Sequence, residues 1–196
     1  MKFNVILFNG FETLDAFGPV EVIGLLGKFY QLGYYSEKGG IVRSIQGIGV
    51  ETLPMSDIEK DGIIMIPGGF GARTEVNNAE FIEGIKELAE NSRFVLTVCT
   101  GSALLAKTGL LKNRRATSNK MSFEWAASQD PEVKWVRRAR WTQDGKYYTS
   151  SGISAGIDMA LGFVSDMISP EAAEKVACGI EYIWNRDRDS DPFCKA

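Results

Sequence analysis

Three short apolar runs constrain the architecture of this chain most strongly. Phe3-Asn4-Val5-Ile6-Leu7-Phe8, Ile63-Ile64-Met65-Ile66 and Phe94-Val95-Leu96-Thr97-Val98 each read as a buried strand, and each stops at a turn. The first ends at Asn9-Gly10, the second at Pro67-Gly68-Gly69, and the third at Cys99-Thr100-Gly101. Helical segments follow. Val20 to Leu26 reads as a helix with Pro19 in its first turn. Asn77 or Asn78 caps a second helix, whose Phe81, Ile82, Ile85, Leu88 and Ala89 share one face. A small-residue stretch, Gly101 to Ala106, is compatible with a third. This strand–helix order predicts an α/β fold, a mostly parallel sheet covered by helices on both faces.

The remaining segments fit that scheme. Gln31 to Ser36 reads as a further strand. Trp141 to Thr149, broken by Asp144-Gly145, reads as a hairpin with a type I′ turn. Ser154 to Ile168 is an apolar helix able to fill a core. Pro170 starts a last helix with Ala173, Val176, Ala177, Ile180 and Trp184 inward. The polar tail from Asn185 to Ala196 is expected on the surface. With 196 residues, no internal repeat and no linker, residues 1–196 are read as one domain.

Composition narrows the partners. Lys and Arg total 22 against 25 Asp and Glu, a net charge of −3, so no global field favours nucleic acid. Arg137, Arg138 and Arg140, interleaved with Trp135 and Trp141, read as a strand surface. The apolar runs fall far short of the ~20 residues that span a bilayer, so no membrane partner is expected. Three widely spaced cysteines and no signal peptide point to a reducing cytoplasm. With no histidine and no Cys-x-x-Cys pair, no metal or cofactor is expected. The run Gly68-Gly69-Phe70-Gly71-Ala72-Arg73 lacks the spacing of a nucleotide-binding loop.

Parallel sheets carry their sites beyond the carboxyl ends of the strands. Three groups arrive at that edge: Asp15, Gly68-Gly69 and Cys99. Cys99 sits between strand and helix like a nucleophile elbow, where helix amides would lower its pKa. The same residue also fits a small buried hydrophobe, and Asp15 also fits a helix cap. If Asp15 faces Cys99, carboxyl and thiol would share a proton and titrate as a pair. The Thr100 amide, with that of Gly68 or Gly69, could hold negative charge on a substrate atom. Ser150-Ser151-Gly152 could orient substrate or water, and Phe17, Phe70, Trp125 and Ile153 could form pocket walls. Cys178 reads as helix packing and Cys194 as an incidental tail residue.

The ordered motifs resemble the DJ-1/PfpI superfamily, and within it the isocyanide hydratase-like branch. They are Leu14-Asp15-Ala16-Phe17-Gly18-Pro19-Val20-Glu21-Val22, Ile66-Pro67-Gly68-Gly69, Val98-Cys99-Thr100-Gly101-Ser102, Ala116-Thr117-Ser118 and Ser151-Gly152-Ile153-Ser154-Ala155-Gly156-Ile157-Asp158. The resemblance implies a flavodoxin-like, glutamine amidotransferase-like sandwich and a homodimer. It also implies Cys99 as nucleophile and Asp15 as acidic partner, with Thr100 in the matching Cys-Thr-Gly pattern as the third catalytic residue; Gly68, Gly69, Ile153 and Asn119 are expected to bind a small electrophilic substrate. Many relatives use glutamate near the place of Asp15; aspartate before Phe17-Gly18-Pro19 is like the hydratase branch. Peptidase-like relatives carry histidine directly after the cysteine, where this chain has Thr100. Several hydratase and regulator relatives read Thr-Ser-His where this chain has Thr117-Ser118-Asn119. The expected activity is hydration of an isocyanide to a formamide. The alternatives are glyoxalase-like conversion of a 2-oxoaldehyde and a non-enzymatic redox-sensing role.

Overall fold

Connections long enough to hold a helix return each strand to the same edge and so allow parallel pairing. The structure, a computed structural model describing residues 1–194, is built this way. Its strands are β1 (Lys2–Ile6), β2 (Gln31–Ser36), β3 (Gly40–Arg43), β4 (Gly49–Pro54), β5 (Ile63–Ile66), β6 (Phe94–Val98), β7 (Arg115–Ala116), β8 (Lys134–Trp135), β9 (Trp141–Asp144) and β10 (Tyr147–Ser150). Its helices are α1 (Thr13–Gly24), α2 (Ala72–Glu75), α3 (Ala79–Asn91), α4 (Gly101–Lys107), α5 (Phe123–Ala127), α6 (Ala155–Met167) and α7 (Pro170–Gly179).

Eight strands form one sheet in the order β3-β4-β2-β1-β5-β6-β10-β9, and β7 pairs with β8 apart from it. Pairing is parallel from β4 through β10, with antiparallel β3 and β9 at the edges. Helix α6 packs against α1 and α7, while α4 packs against α2 and α3. The chain first steps outward from β1 to β2, then resumes on the other side of β1 with β5. That reversal opens a crevice beyond the carboxyl ends of β1 and β5, the usual place for a site in such sheets. Strands β5 and β6 are almost wholly buried, which explains their continuous apolar sequence. Among the described residues, no helix is long and apolar enough to cross a membrane.

Several local expectations need correction. Helix α1 begins at Thr13, well before Val20, so Asp15 lies in its first turn and Pro19 inside it. The helix absorbs Pro19 by giving up one bond, the one a residue there would donate to the Asp15 carbonyl. Of the two asparagines, Asn78 is the cap, its side chain accepting from the Phe81 amide at 3.2 Å. In the β9–β10 hairpin φ is positive at Gly145 but not at Lys146, the pattern of a type II′ turn instead of type I′. Helix α7 stops at Gly179, so Ile180 and Trp184 lie beyond it, and the Trp184 indole donates to the Asp158 carbonyl at 3.2 Å. Cys178 points to solvent and does not pack.

Candidate active site

Cys99 ends β6 with φ at +57°, a left-handed conformation that strains any residue bearing a Cβ. The surrounding backbone holds it there. Its amide donates to the carbonyls of Ser150 and Ser151, at 3.1 and 3.3 Å. Its carbonyl accepts the hydroxyls of Ser102 and Ser118, each at 2.9 Å. These bonds offset a conformational cost of roughly 1–2 kcal/mol. They tie the turn to the loop after β10 and to the segment after β7.

Asp15 reaches the same point from α1 and is fully buried. Its Oδ2 accepts the Gly68 amide at 3.1 Å, whereas its Oδ1 is buried without a hydrogen bond. Burial drives the Asp15 pKa up to about 8, although the nearby thiol and the Gly68 amide pull it down. Burial, then the adjacent Asp15, push the Cys99 thiol above its usual value. The expectation of a helix-lowered thiol is therefore overturned, because desolvation and a like charge outweigh the local amides. The two groups compete to stay neutral, as a coupled pair does.

The amides of Gly68 and Gly69 do not face open space. Gly68 donates to Asp15, and Gly69 donates to Thr100 Oγ1 at 2.9 Å. They orient an acid and a hydroxyl instead of holding a substrate anion. The Thr100 amide lies against the thiol, where it favours the thiolate. Gly68 has to be glycine: a Cβ there would stand 2.5 Å from the Thr100 amide nitrogen and 3.0 Å from Asp15 Oδ2.

Above the thiol lies a cavity of about 230 Å³. Thr100, Asn119, Ile153 and Phe70 line it together with Cys99. The Asn119 Oδ1 accepts the amides of Met121 and Ser122, at 2.9 and 3.1 Å, which leaves its Nδ2 as a donor. A Cβ on Gly152 would sit 2.8 Å from the Cys99 sulfur, so this glycine keeps the approach open. Of the expected walls, Phe70 and Ile153 contribute. Phe17 packs instead on Phe11 and Tyr34, and Trp125 stands behind Arg73. Ser150 and Ser151 act through their carbonyls on the Cys99 amide.

The sequence did not single out the polar cluster behind the site. Arg140 is 4% exposed and is not part of a strand surface. Its Nε donates to Asp158 Oδ2 at 2.8 Å, and Nη2 lies 2.7 Å from the same oxygen and 3.2 Å from Ser154 Oγ. Asp191 is buried beside it, with Oδ1 3.6 Å from Nη1, so the tail is anchored. The signal was present in the interruption Arg137-Arg138-Ala139-Arg140-Trp141, where a buried tryptophan directly follows an arginine. The segment after β7 also carried Ser118, whose hydroxyl fixes the Cys99 carbonyl.

A model of the DJ-1/PfpI family matches residues 1–166. The chain belongs to the DJ-1/PfpI family. It is 28% identical over 187 residues to an isonitrile hydratase from Pseudomonas putida, covering 93% of this chain and 78% of that protein. It is 26% identical over 177 residues to the HTH-type transcriptional regulator CdhR from Pseudomonas aeruginosa, covering 88% of this chain and 52% of the regulator. A ThiJ/PfpI family protein from Pseudomonas syringae superposes with a TM-score of 0.84 at 24% identity, covering 98% of this chain and 77% of that one. Oxidized DJ-1 from Toxoplasma gondii gives 0.78 at 22% identity, covering 93% and 99%. These two likenesses show the DJ-1/PfpI fold.

Proposed function

We propose that this chain is a cysteine-dependent lyase that hydrates a small isocyanide to an N-substituted formamide. The observation that carries the reading is the buried Asp15 carboxyl, with one oxygen unbonded, coupled to the Cys99 thiol beneath a small cavity. The similarity to the Pseudomonas putida isonitrile hydratase over most of both chains supports it.

An isocyanide has one carbon that must accept both a nucleophile and a proton. In this reading the Cys99 sulfur forms a bond to that carbon while Asp15 gives it a proton and takes the thiol proton in exchange. The product is a thioimidate. Water then adds to the carbon, the nitrogen gains a proton, and the carbon–sulfur bond breaks to release the formamide and regenerate the thiol. A carboxyl kept protonated by burial suits the first step, since it donates without leaving a solvated charge. Cys99 fills the role of elbow nucleophile, with Thr100 positioning the thiol and Asn119 donating to the substrate.

Incubation with p-nitrophenyl isocyanide tests the proposal. Formation of N-(p-nitrophenyl)formamide above a Cys99→Ala control is the expected result. Equal formation in both proteins would reject it.

A further inference from the structure

The cavity above Cys99 has charged groups in its wall, Glu12 and Arg73. Glu12 is already engaged, its Oε1 accepting from Gln46 Nε2. Arg73 is differently placed. Its guanidinium stacks 4.4 Å over the Trp125 ring, and Nη2 donates to Ser122 Oγ at 3.3 Å. Among the described residues, Nη1 and Nε have no acceptor and no carboxylate pairs with Arg73. Other cations lie along the adjoining groove, and both are paired: Lys120 with Asp191 at 3.7 Å, and Arg137 with Glu124.

An arginine braced on an aromatic face and on a hydroxyl has little freedom left to lose on binding. Nη2 carries a second hydrogen, so beside the bond to Ser122 one two-donor edge of the guanidinium stays open to a planar anion. We infer that Arg73 is the anchor for a carboxylate on the substrate, so that the reactive carbon is delivered to Cys99 by a small molecule with an acid at its other end. The cavity of about 230 Å³ has room for such a molecule. Asp15 does not oppose the anion while burial keeps it protonated. This inference rests on the reading of Cys99 as the group that meets the substrate.

Two measurements test it without requiring hydration. The first is calorimetric titration with 3-methylbutanoate and, separately, 3-methylbutanamide. The acid should bind about tenfold more tightly than the amide, the value of one charge-assisted hydrogen bond. Arg73→Gln should erase that preference and Arg73→Lys should keep part of it. The second is the rate of Cys99 alkylation by iodoacetate relative to iodoacetamide, read by peptide mass spectrometry. Exposed Cys178 serves as the internal reference. The iodoacetate-to-iodoacetamide ratio should be about tenfold higher at Cys99 than at Cys178 and should fall to the Cys178 value in Arg73→Gln. Equal affinity for acid and amide, or a preference that survives Arg73→Gln, overturns the inference. Hydration of a neutral isocyanide with no carboxylate preference would leave the hydratase reading standing alone. A carboxylate preference with no hydration would leave the anion subsite standing alone.

Discussion

The Gly68 amide holds Asp15 through Oδ2 at 3.1 Å, and the other group that hydrogen-bonds the buried carboxyl is the Cys99 thiol. The carboxyl is thereby fixed in direction but poorly solvated. Its pKa of about 8, raised by burial from an ordinary 3.8, is the thermodynamic trace of that placement. In the unfolded chain Asp15 ionises near 3.8, so between about pH 4 and 8 the unfolded state binds fewer protons at this residue. Native stability contributed by Asp15 is therefore intact below pH 4, falls as pH rises to about 8, and is level above it. Asp15→Asn removes the titration. The variant should gain in melting temperature over the parent as pH is raised from 5 to 8, and little further beyond. Melting curves at matched ionic strength check this, and a gain that shrinks with rising pH would contradict it.

The same substitution separates two roles of Asp15. Burial is the main cause of the high thiol pKa, and the neighbouring carboxylate is the next. Replacing it with a neutral amide removes the second cause. The pH profile of Cys99 alkylation by iodoacetamide should shift to lower pH in Asp15→Asn, with faster reaction at pH 9. Hydration should nevertheless fall by about 10²-fold or more, the usual contribution of a positioned proton donor. A slower alkylation at pH 9 would show that Asp15 activates the thiol as a base.

Much of this was legible in the chain because it depends on local pattern. The runs ending at Val98 and at Ile66 are buried on both sheet faces, so their sequence is continuously apolar and the strands declare themselves. Cys99 and Gly68 stand out in the sequence because Cys99 directly follows such a run and Gly68 follows one after Pro67. Less legible were features set by tertiary contacts. The edge strand β3 and its neighbour β4 are largely exposed and mixed in composition, so no periodicity marks them. The start of α1 was hidden by Pro19, which looks like a first-turn residue until packing carries the helix past it. The direction of the thiol shift followed from burial, a quantity that sequence spacing does not carry. Arg140 reads as surface because arginine usually is, and its partners, Asp158 and Asp191, are 18 and 51 residues away.

Gly152 supplies a test of the open approach to sulfur. Its backbone φ is not left-handed, so alanine is tolerated by the main chain, yet the new methyl would stand 2.8 Å from the Cys99 sulfur. The thiol or the Asn119 amide has to move. Displacements of about 1 Å can cost about 10²-fold in rate, so Gly152→Ala should lose most hydration and alkylation at Cys99 while Cys178 alkylates as before. Circular dichroism should show an unchanged fold. Parent-level reactivity at Cys99 would mean that the substrate arrives from another side.

Loss of Arg140 should be costly to the fold. The residue is buried and bonds Asp158 through both Nε and Nη2, and Asp158 has no exposure of its own. Asp158 Oδ1 is meanwhile engaged by the Asn185 amide at 2.9 Å, which brings the chain past α7 back to α6. Arg140→Ala leaves a desolvated carboxylate with no cation against it, and breaking a buried pair in this way costs about 3–5 kcal/mol. Denaturant melts should show a loss of that order at pH 7. Asp158→Asn in the same background should restore part of it, because the stranded charge is then gone. Restoration in the double variant would identify charge burial as the cause; a further loss would show that packing of the arginine stem dominates.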